Sequence, residues 1–271
     1  MTARPAPVNL RFRLIEFEMS ENRSASTDPE ELARFARLGD QWWDLRGPQA
    51  ALHKLNPVRI GYLRNLLCAH FPDGDKPRRR NVEKPLSGLK IIDCGCGGGL
   101  LAEPLAKLGA SVTAIDPADE NIAVARRHAE LGGLDIDYRP VTVESVAASE
   151  ERFDVVLAME VLEHVADVDS FLTSAASLVR PGGLLIGATL NRTLKSYALA
   201  IVGAEYLLRW VEPGTHDWNK FLRPSEITRP LVKAGLQEID RSGMVYNPLL
   251  DDWRLSGDTD VNYLIALERP A

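Results

Sequence analysis

Residues 93–100 read DCGCGGGL. The stretch follows a short apolar run, LKIIDC at 89–94, and leads into LLAEPLAKLG at 100–109. Glycines let the backbone turn sharply and pass close to a ligand. Strand, glycine loop and helix, in that order, describe the first turn of a nucleotide-binding α/β unit. A dinucleotide fingerprint requires Gly-x-Gly-x-x-Gly, and Leu100 stands where its third glycine would be. Asp116 ends the next apolar run, ASVTAID at 110–116, at the place where an acid meets ribose hydroxyls in such sheets.

Outward from the loop the chain alternates. ADENIAVARRHAEL (118–131) and DVDSFLTSAASLVR (167–180) read as helices, the second capped by Asp167; DIDYRP (135–140), RFDVVLAM (152–159) and LLIGATL (184–190) read as strands. RPSEITRPLVKAGL (223–236) reads as a further helix, with LQEIDRSG and NYLIALER as closing strands. This order predicts a Rossmann-like α/β fold, doubly wound, with a mostly parallel seven-stranded sheet, N-terminal helices and a helical insert after the fifth strand. DPEELARFARLGDQWWDL (28–45) predicts one helix capped by Asp28, and a second helix is expected to begin after Pro57. The expected organisation is a polar, disordered tail over 1–27, N-terminal helices and a basic loop over 28–88, and a core over 89–190. An insert over 191–223 and a closing helix with strands over 224–271 complete it. Residues 1–18, ahead of Met19, are expected to be a start-site extension or a loose tail.

The 271-residue chain carries a net charge of −6, which leaves no excess positive charge for general nucleic-acid binding. Its three cysteines, Cys68, Cys94 and Cys96, lack a paired framework, as in a reducing, cytoplasmic setting. LKSYALAIVGAEYLLRWV (194–211) is apolar but holds Lys195, Glu205 and Arg209, so it makes a poor membrane span. It fits a packed lid, or a helix lying in a membrane interface. AMEVLEHV (158–165) places Glu160, Glu163 and His164 at positions i, i+3 and i+4, on one face if the chain turns helically after the strand. On spacing alone the plainer reading is that Glu163 and His164 are polar groups at a helix end and only Glu160 is buried. His216 and Asp217 in GTHDW form a polar pair in an apolar insert, either a base or substrate orienter, or a turn stabilised by Asp217.

Asp93-x-Gly95-x-Gly97-x-Gly99, with Asp116 downstream and LVRPGGLLI at 178–186, resembles the S-adenosylmethionine-dependent methyltransferases of the Rossmann-like class. The flanks narrow the match. WWDL, LHKLNPVRIGYL, MEVLEHV, LNRTLKSYALAIVGAEYLLRWVEPGTHDWNKF and DVNYLIALERP together resemble the ubiquinone-biosynthesis O-methyltransferases, from about Leu32 to Glu268. The resemblance implies cofactor contacts at Arg59, Gly95, Asp116 and Met159, and Glu144 is a further candidate near the adenine by position alone. It implies a divalent cation held by Glu160, Glu163 and His164, which reverses the plainer reading of those residues. Two carboxylates suit Mg2+, and the imidazole pulls toward Zn2+ or another transition metal.

The implied substrates are 2-polyprenyl-6-hydroxyphenol and 3-demethylubiquinol. A bilayer-borne substrate gives the 191–212 segment a purpose as a peripheral membrane contact at the inner face of the cytoplasmic membrane, where other ubiquinone-biosynthesis proteins would be partners. Two other readings stand beside this one: a methyltransferase for another small phenol or catechol, and a non-catalytic S-adenosylmethionine-binding scaffold.

Overall fold

Strand β1 (Lys90–Cys94) explains the central architecture. Successive side chains of a strand point to opposite faces, and here Ile91 enters one core cluster while Ile92 enters the other. A strand buried on both sides must read as a continuous apolar run. The structure, a computed structural model, describes residues 26–199, 201, 217–247 and 250–271. The remaining strands are β2 (Ser111–Ile115), β3 (Asp137–Arg139), β4 (Phe153–Met159), β5 (Val179–Leu190), β6 (Gln237–Asn247), β7 (Asp252–Ser256) and β8 (Asn262–Glu268). They form one sheet in the order β3-β2-β1-β4-β5-β8-β6-β7. The first five pair in parallel, and β8 enters antiparallel between β5 and β6. The strand order reverses at β1, between β2 and β4, and ligands bind such sheets outside the carboxyl ends at that switch point.

The sheet has eight strands rather than seven. The extra one, β7, pairs only with β6, as an antiparallel edge strand. It is mostly exposed, with Trp253 packed against the core, so it needs no apolar run and leaves no period-2 signal.

The N-terminal helices also differ from expectation. Helix α1 (Pro29–Ala36) is capped as expected, the Asp28 carboxylate accepting from the backbone N–H of Glu30 at 3.0 Å and of Glu31 at 3.4 Å. It stops before Gly39, whose φ of 50° lies in the left-handed region, and the chain resumes as a 3-10 turn over Gly39–Trp43. Helix α2 (Ala50–His70) starts ahead of Pro57 and runs through it. Proline lacks an N–H, so the helix forgoes one hydrogen bond there, and buried Leu55, Tyr62, Leu63 and Leu67 hold it to the sheet. The polar tail is ordered earlier than its composition suggests: Thr27 pairs with Val165, and the Ala166 N–H donates to the Ser26 carbonyl at 2.9 Å.

Helices α3 (Ala102–Lys107), α4 (Asp119–Leu131), α5 (Val143–Ala147), α6 (Val168–Leu178) and α7 (Pro224–Lys233) cover the sheet. Asp167 caps α6, accepting from the Ser170 N–H at 2.9 Å, as its position predicts. After β5, Thr193 caps a short turn over Leu194–Ser196, and the Trp218 indole donates to the Thr193 carbonyl at 2.9 Å, closing the two ends of the insert on each other. Leu194, Tyr197 and Leu199 are exposed at its start. Most of the apolar run, and His216, lie outside the described residues. Among the described residues no helix is long and apolar enough to cross a membrane.

Candidate active site at the carboxyl ends of β1, β2 and β4

The loop after β1 turns through Gly95 and Gly97, with φ of 78° and 52°. The Gly95 and Cys96 N–H groups donate to the Ile115 carbonyl at 2.8 and 3.0 Å, tying the loop to the end of β2. The indole of Trp42 packs onto the loop so closely that a Cβ on Gly98 would stand 2.5 Å from the Trp42 Cβ. Asp116 follows β2. Its Oδ2 accepts from the Gly97 N–H at 3.0 Å, and its Oδ1 accepts from the Ala118 N–H at 2.9 Å and the Asn121 amide at 3.1 Å. Burial pushes this carboxyl up, and the three hydrogen bonds pull it back. A carboxylate has about four lone-pair sites, so Asp116 retains capacity to accept from a ligand. It lines a cavity with Gly95, Gly97, Asn121, Thr142, Glu160 and His164, roofed by Asp28, Glu31, Phe35 and Trp42.

The sequence-predicted metal triad does not assemble. Glu160 has φ 54°, left-handed for a non-glycine residue, and its N–H still pairs with the Ala188 carbonyl at 2.9 Å. The helical turn begins only at Leu162, as a 3-10 turn over Leu162–His164, so the i, i+3, i+4 face never forms. Glu160 and Glu163 remain within hydrogen-bonding reach of each other. Glu163 Oε2 also accepts from the buried Thr189 hydroxyl at 2.7 Å. Burial, with Glu163 adding to it and Arg59 opposing, pushes Glu160 up to about 8. His164 turns the other way. Its Nδ1 lies 3.2 Å from Glu31 Oε2, off the line of a hydrogen bond, and its ring meets Phe35 edge-on at 4.8 Å. Among the described residues no three His, Cys, Asp or Glu side chains are arranged to hold a metal ion. As arranged, the residues do not fit the implied three-donor site.

The other expected residues are placed as follows. Arg59 is buried in α2 behind the loop, its Nη1 4.0 Å from Glu160 Oε1 and its Nη2 donating to Asn56 Oδ1 at 3.1 Å. Arg59 Nε and Asp93 Oδ2 are buried without hydrogen-bond partners. Burial raises Asp93 to about 7 against the pull of Arg59. Met159 is a core residue, facing Ala188 in the β4–β5 pair, and neither it nor Arg59 lines the cavity. Asp217 serves as a turn stabiliser, its Oδ1 accepting from the N–H and side-chain amide of Asn219 at 2.9 and 3.0 Å. Glu144 has one buried carboxylate oxygen without a partner.

Four residues that the sequence did not single out belong to this site: Glu31, Trp42, Asn121 and Lys220. Only the WW pair and the NKF end of GTHDWNKF offered a signal, and neither named a partner. Lys220 Nζ lies 3.1 Å from Glu31 Oε1 and 3.3 Å from Asp28 Oδ2, so it pins the start of α1 over the cavity from the end of the insert. His164 first, then Lys220, holds the Glu31 carboxyl down at about 2. These groups are partly exposed, and such pairs contribute at most about 1 kcal/mol. Lys220→Ala is therefore expected to speed tryptic cleavage at Arg34 or Arg37 without lowering the melting temperature much. An unchanged cleavage pattern would show that Lys220 does not hold the cover.

A family model described as a methyltransferase domain matches residues 92–187. The ubiquinone biosynthesis O-methyltransferase of Methylocella silvestris is 57% identical over 252 residues, 93% of this chain and 98% of the relative. The protein of the same name from Methylobacterium nodulans is 56% identical over 252 residues, 93% of this chain and 99% of the relative. Among solved structures, the N-methyltransferase NodS from Bradyrhizobium japonicum WM9, in complex with S-adenosyl-l-homocysteine, aligns with a TM-score of 0.55 at 17% identity. That alignment covers 89% of this chain and 98% of the other and speaks for the fold.

Proposed function

Because the chain belongs to the ubiquinone-biosynthesis O-methyltransferase family, we propose that it methylates the phenolic hydroxyls of 2-polyprenyl-6-hydroxyphenol and 3-demethylubiquinol. It is an S-adenosylmethionine-dependent O-methyltransferase of ubiquinone synthesis. The observation that carries the site assignment is Asp116. Its buried carboxylate, oriented by three donors at the end of β2, opens onto the same cavity as Glu160 and His164. In this reading Asp116 accepts from a ribose hydroxyl, and the backbone turn at Gly95 leaves room for the cofactor to lie close. Arg59 offers its guanidinium to the methionyl carboxylate.

The phenol oxygen attacks the methyl carbon in line with the departing sulfur. An O–C bond forms, the C–S bond breaks, and the sulfonium charge is discharged as the thioether leaves. Holding the two reactants in line supplies much of the acceleration. The phenolic proton, bound with a pKa of about 10 in an unperturbed phenol such as tyrosine, passes to a group lining the cavity. Glu160, and His164 with Glu31 beside it, are the groups placed to take it. A divalent cation, where bound, would acidify the phenol. Glu160 and Glu163 would be two of its donors only after giving up their bond to each other, and His164 would have to leave Glu31 to become the third.

Methylation of short-chain 2-prenyl-6-hydroxyphenol and of reduced demethylubiquinone, with and without chelator, tests this function. S-adenosylhomocysteine is expected to form with both phenols. Turnover only on a different catechol would overturn the substrate assignment. Turnover abolished by chelator and restored by added Mg2+ or Zn2+ would show that a divalent cation takes part in the reaction.

The exposed Leu194, Tyr197 and Leu199 at the start of the insert support peripheral contact with the inner face of the cytoplasmic membrane, where a polyprenyl chain resides. Leu194→Asp combined with Leu199→Asp is expected to reduce flotation with anionic liposomes severalfold; equal flotation would remove these residues from the contact.

A further inference from the structure

We propose that Trp42 and Asn121 act as a positioning pair for the cofactor: the indole N–H fixes the Asn121 amide, which in turn holds the Asp116 carboxylate turned toward the ribose hydroxyls. The proposal rests on the reading of Asp116 as the ribose acceptor.

Three buried side chains form the chain of contacts. Trp42 Nε1 donates to Asn121 Oδ1 at 3.0 Å, across 79 residues of sequence. Asn121 Nδ2 donates to Asp116 Oδ1 at 3.1 Å. Trp42, Asn121 and Asp116 are 7%, 2% and 7% exposed, so water does not compete freely for these bonds. An indole N–H can only donate. It therefore selects one of the two orientations of the Asn121 amide, the one that leaves the NH2 group for Asp116. The flipped amide would point its oxygen at a carboxylate and leave the indole N–H without an acceptor, which is costly in a buried site.

The pair also joins two parts of the chain that meet at the ligand. Asn121 lies in the first turn of α4, which begins shortly after Asp116 at the end of β2. Trp42 arrives from the N-terminal 3-10 turn, and its ring covers Gly97 and Gly98. Through Gly97, whose N–H binds the other oxygen of Asp116, the same indole bears on both sides of the carboxylate. The N-terminal turn is thus more than a cover over the cavity, because it supplies the donor that sets the orientation of the ribose acceptor.

The test compares two ligands by calorimetry on the 271-residue chain: S-adenosylhomocysteine and its analogue lacking both ribose hydroxyls. Asn121→Leu is expected to weaken S-adenosylhomocysteine about tenfold, the scale of one hydrogen bond to a charged group. Its affinity for the dideoxy analogue should match that of the wild type. Trp42→Phe keeps a ring over the glycines but removes the donor, and a smaller loss confined to the same ligand is expected. Equal losses for both ligands would make the residues merely structural, and no loss in either variant would also overturn the pair. If Asn121→Leu does not fold, Trp42→Phe alone decides by the same comparison. Asp116→Ala separates the underlying reading: wild-type binding of S-adenosylhomocysteine in that variant would reject Asp116 as the ribose acceptor. Loss there, with none in Asn121→Leu or Trp42→Phe, would reject only the positioning pair.

Discussion

Asp116→Ala is expected to weaken S-adenosylmethionine binding by about ten- to a hundredfold. Three of the roughly four lone-pair sites are already taken, so one hydrogen bond from a ribose hydroxyl to a charged acceptor is lost, worth about 1.5–3 kcal/mol. The substitution also strips an acceptor from the Gly97 and Ala118 N–H groups and from Asn121, so the loop beneath the ligand keeps only the Gly95 and Cys96 bonds to Ile115. Titration calorimetry measures the affinity, and thermal denaturation separates loss of the ligand from loss of the fold. An unchanged dissociation constant would remove Asp116 from the site.

Arg59→Ala is expected to have the largest effect on stability. The guanidinium is buried between Glu160 and Asp93, and it is the cation opposing the burial penalty on both. Removing one partner of a buried charge cluster typically costs about 3–5 kcal/mol. The loss should depend on pH. Asp93 titrates at about 7 in the folded protein, above its ordinary 3.8. An acid raised in this way contributes stability that is fully present below its unfolded value and lost as pH rises through its folded value. Taking away Arg59 raises the folded value further. From about pH 4 to pH 7 both proteins keep Asp93 protonated when folded and ionised when unfolded, so the gap between them stays level; it should widen as pH rises above about 7, where only the wild-type carboxyl ionises in the folded state. A melting-temperature difference that stays flat as pH rises above about 7 would show that Arg59 does not carry the cluster. Arg59→Lys should recover part of the stability, since it restores a charge, but little of the cofactor affinity, since an ammonium lacks the fork of donors that matches a carboxylate.

The site was legible where local backbone chemistry dictates it. Gly95 and Gly97 adopt positive φ, a conformation that most residues with a Cβ enter only with strain. Asp116 follows β2 because the strand's apolar period ends there, and a nucleotide-binding sheet puts an acid at that place. Asp217 was legible only as one of two alternatives, and its bonds to Asn219 make it a turn stabiliser. The metal triad shows where spacing fails. Positions i, i+3 and i+4 share a face only in a continuous helix, and the left-handed backbone at Glu160 breaks that continuity just before the turn.

The sequence by itself determined the order of strand, glycine loop and helix and the doubly wound sheet around β1, because strand period, helix period and glycine conformation are properties of short segments; its flanking motifs carried the resemblance to the family. Only the tertiary structure decided that His164 faces Glu31 rather than Glu160, that Lys220 reaches back to α1, that Trp42 governs Asn121, and that an edge strand extends the sheet to eight. Those pairings join residues far apart in the chain. Packing selects them, and a polar side chain carries no local mark of the partner it will meet.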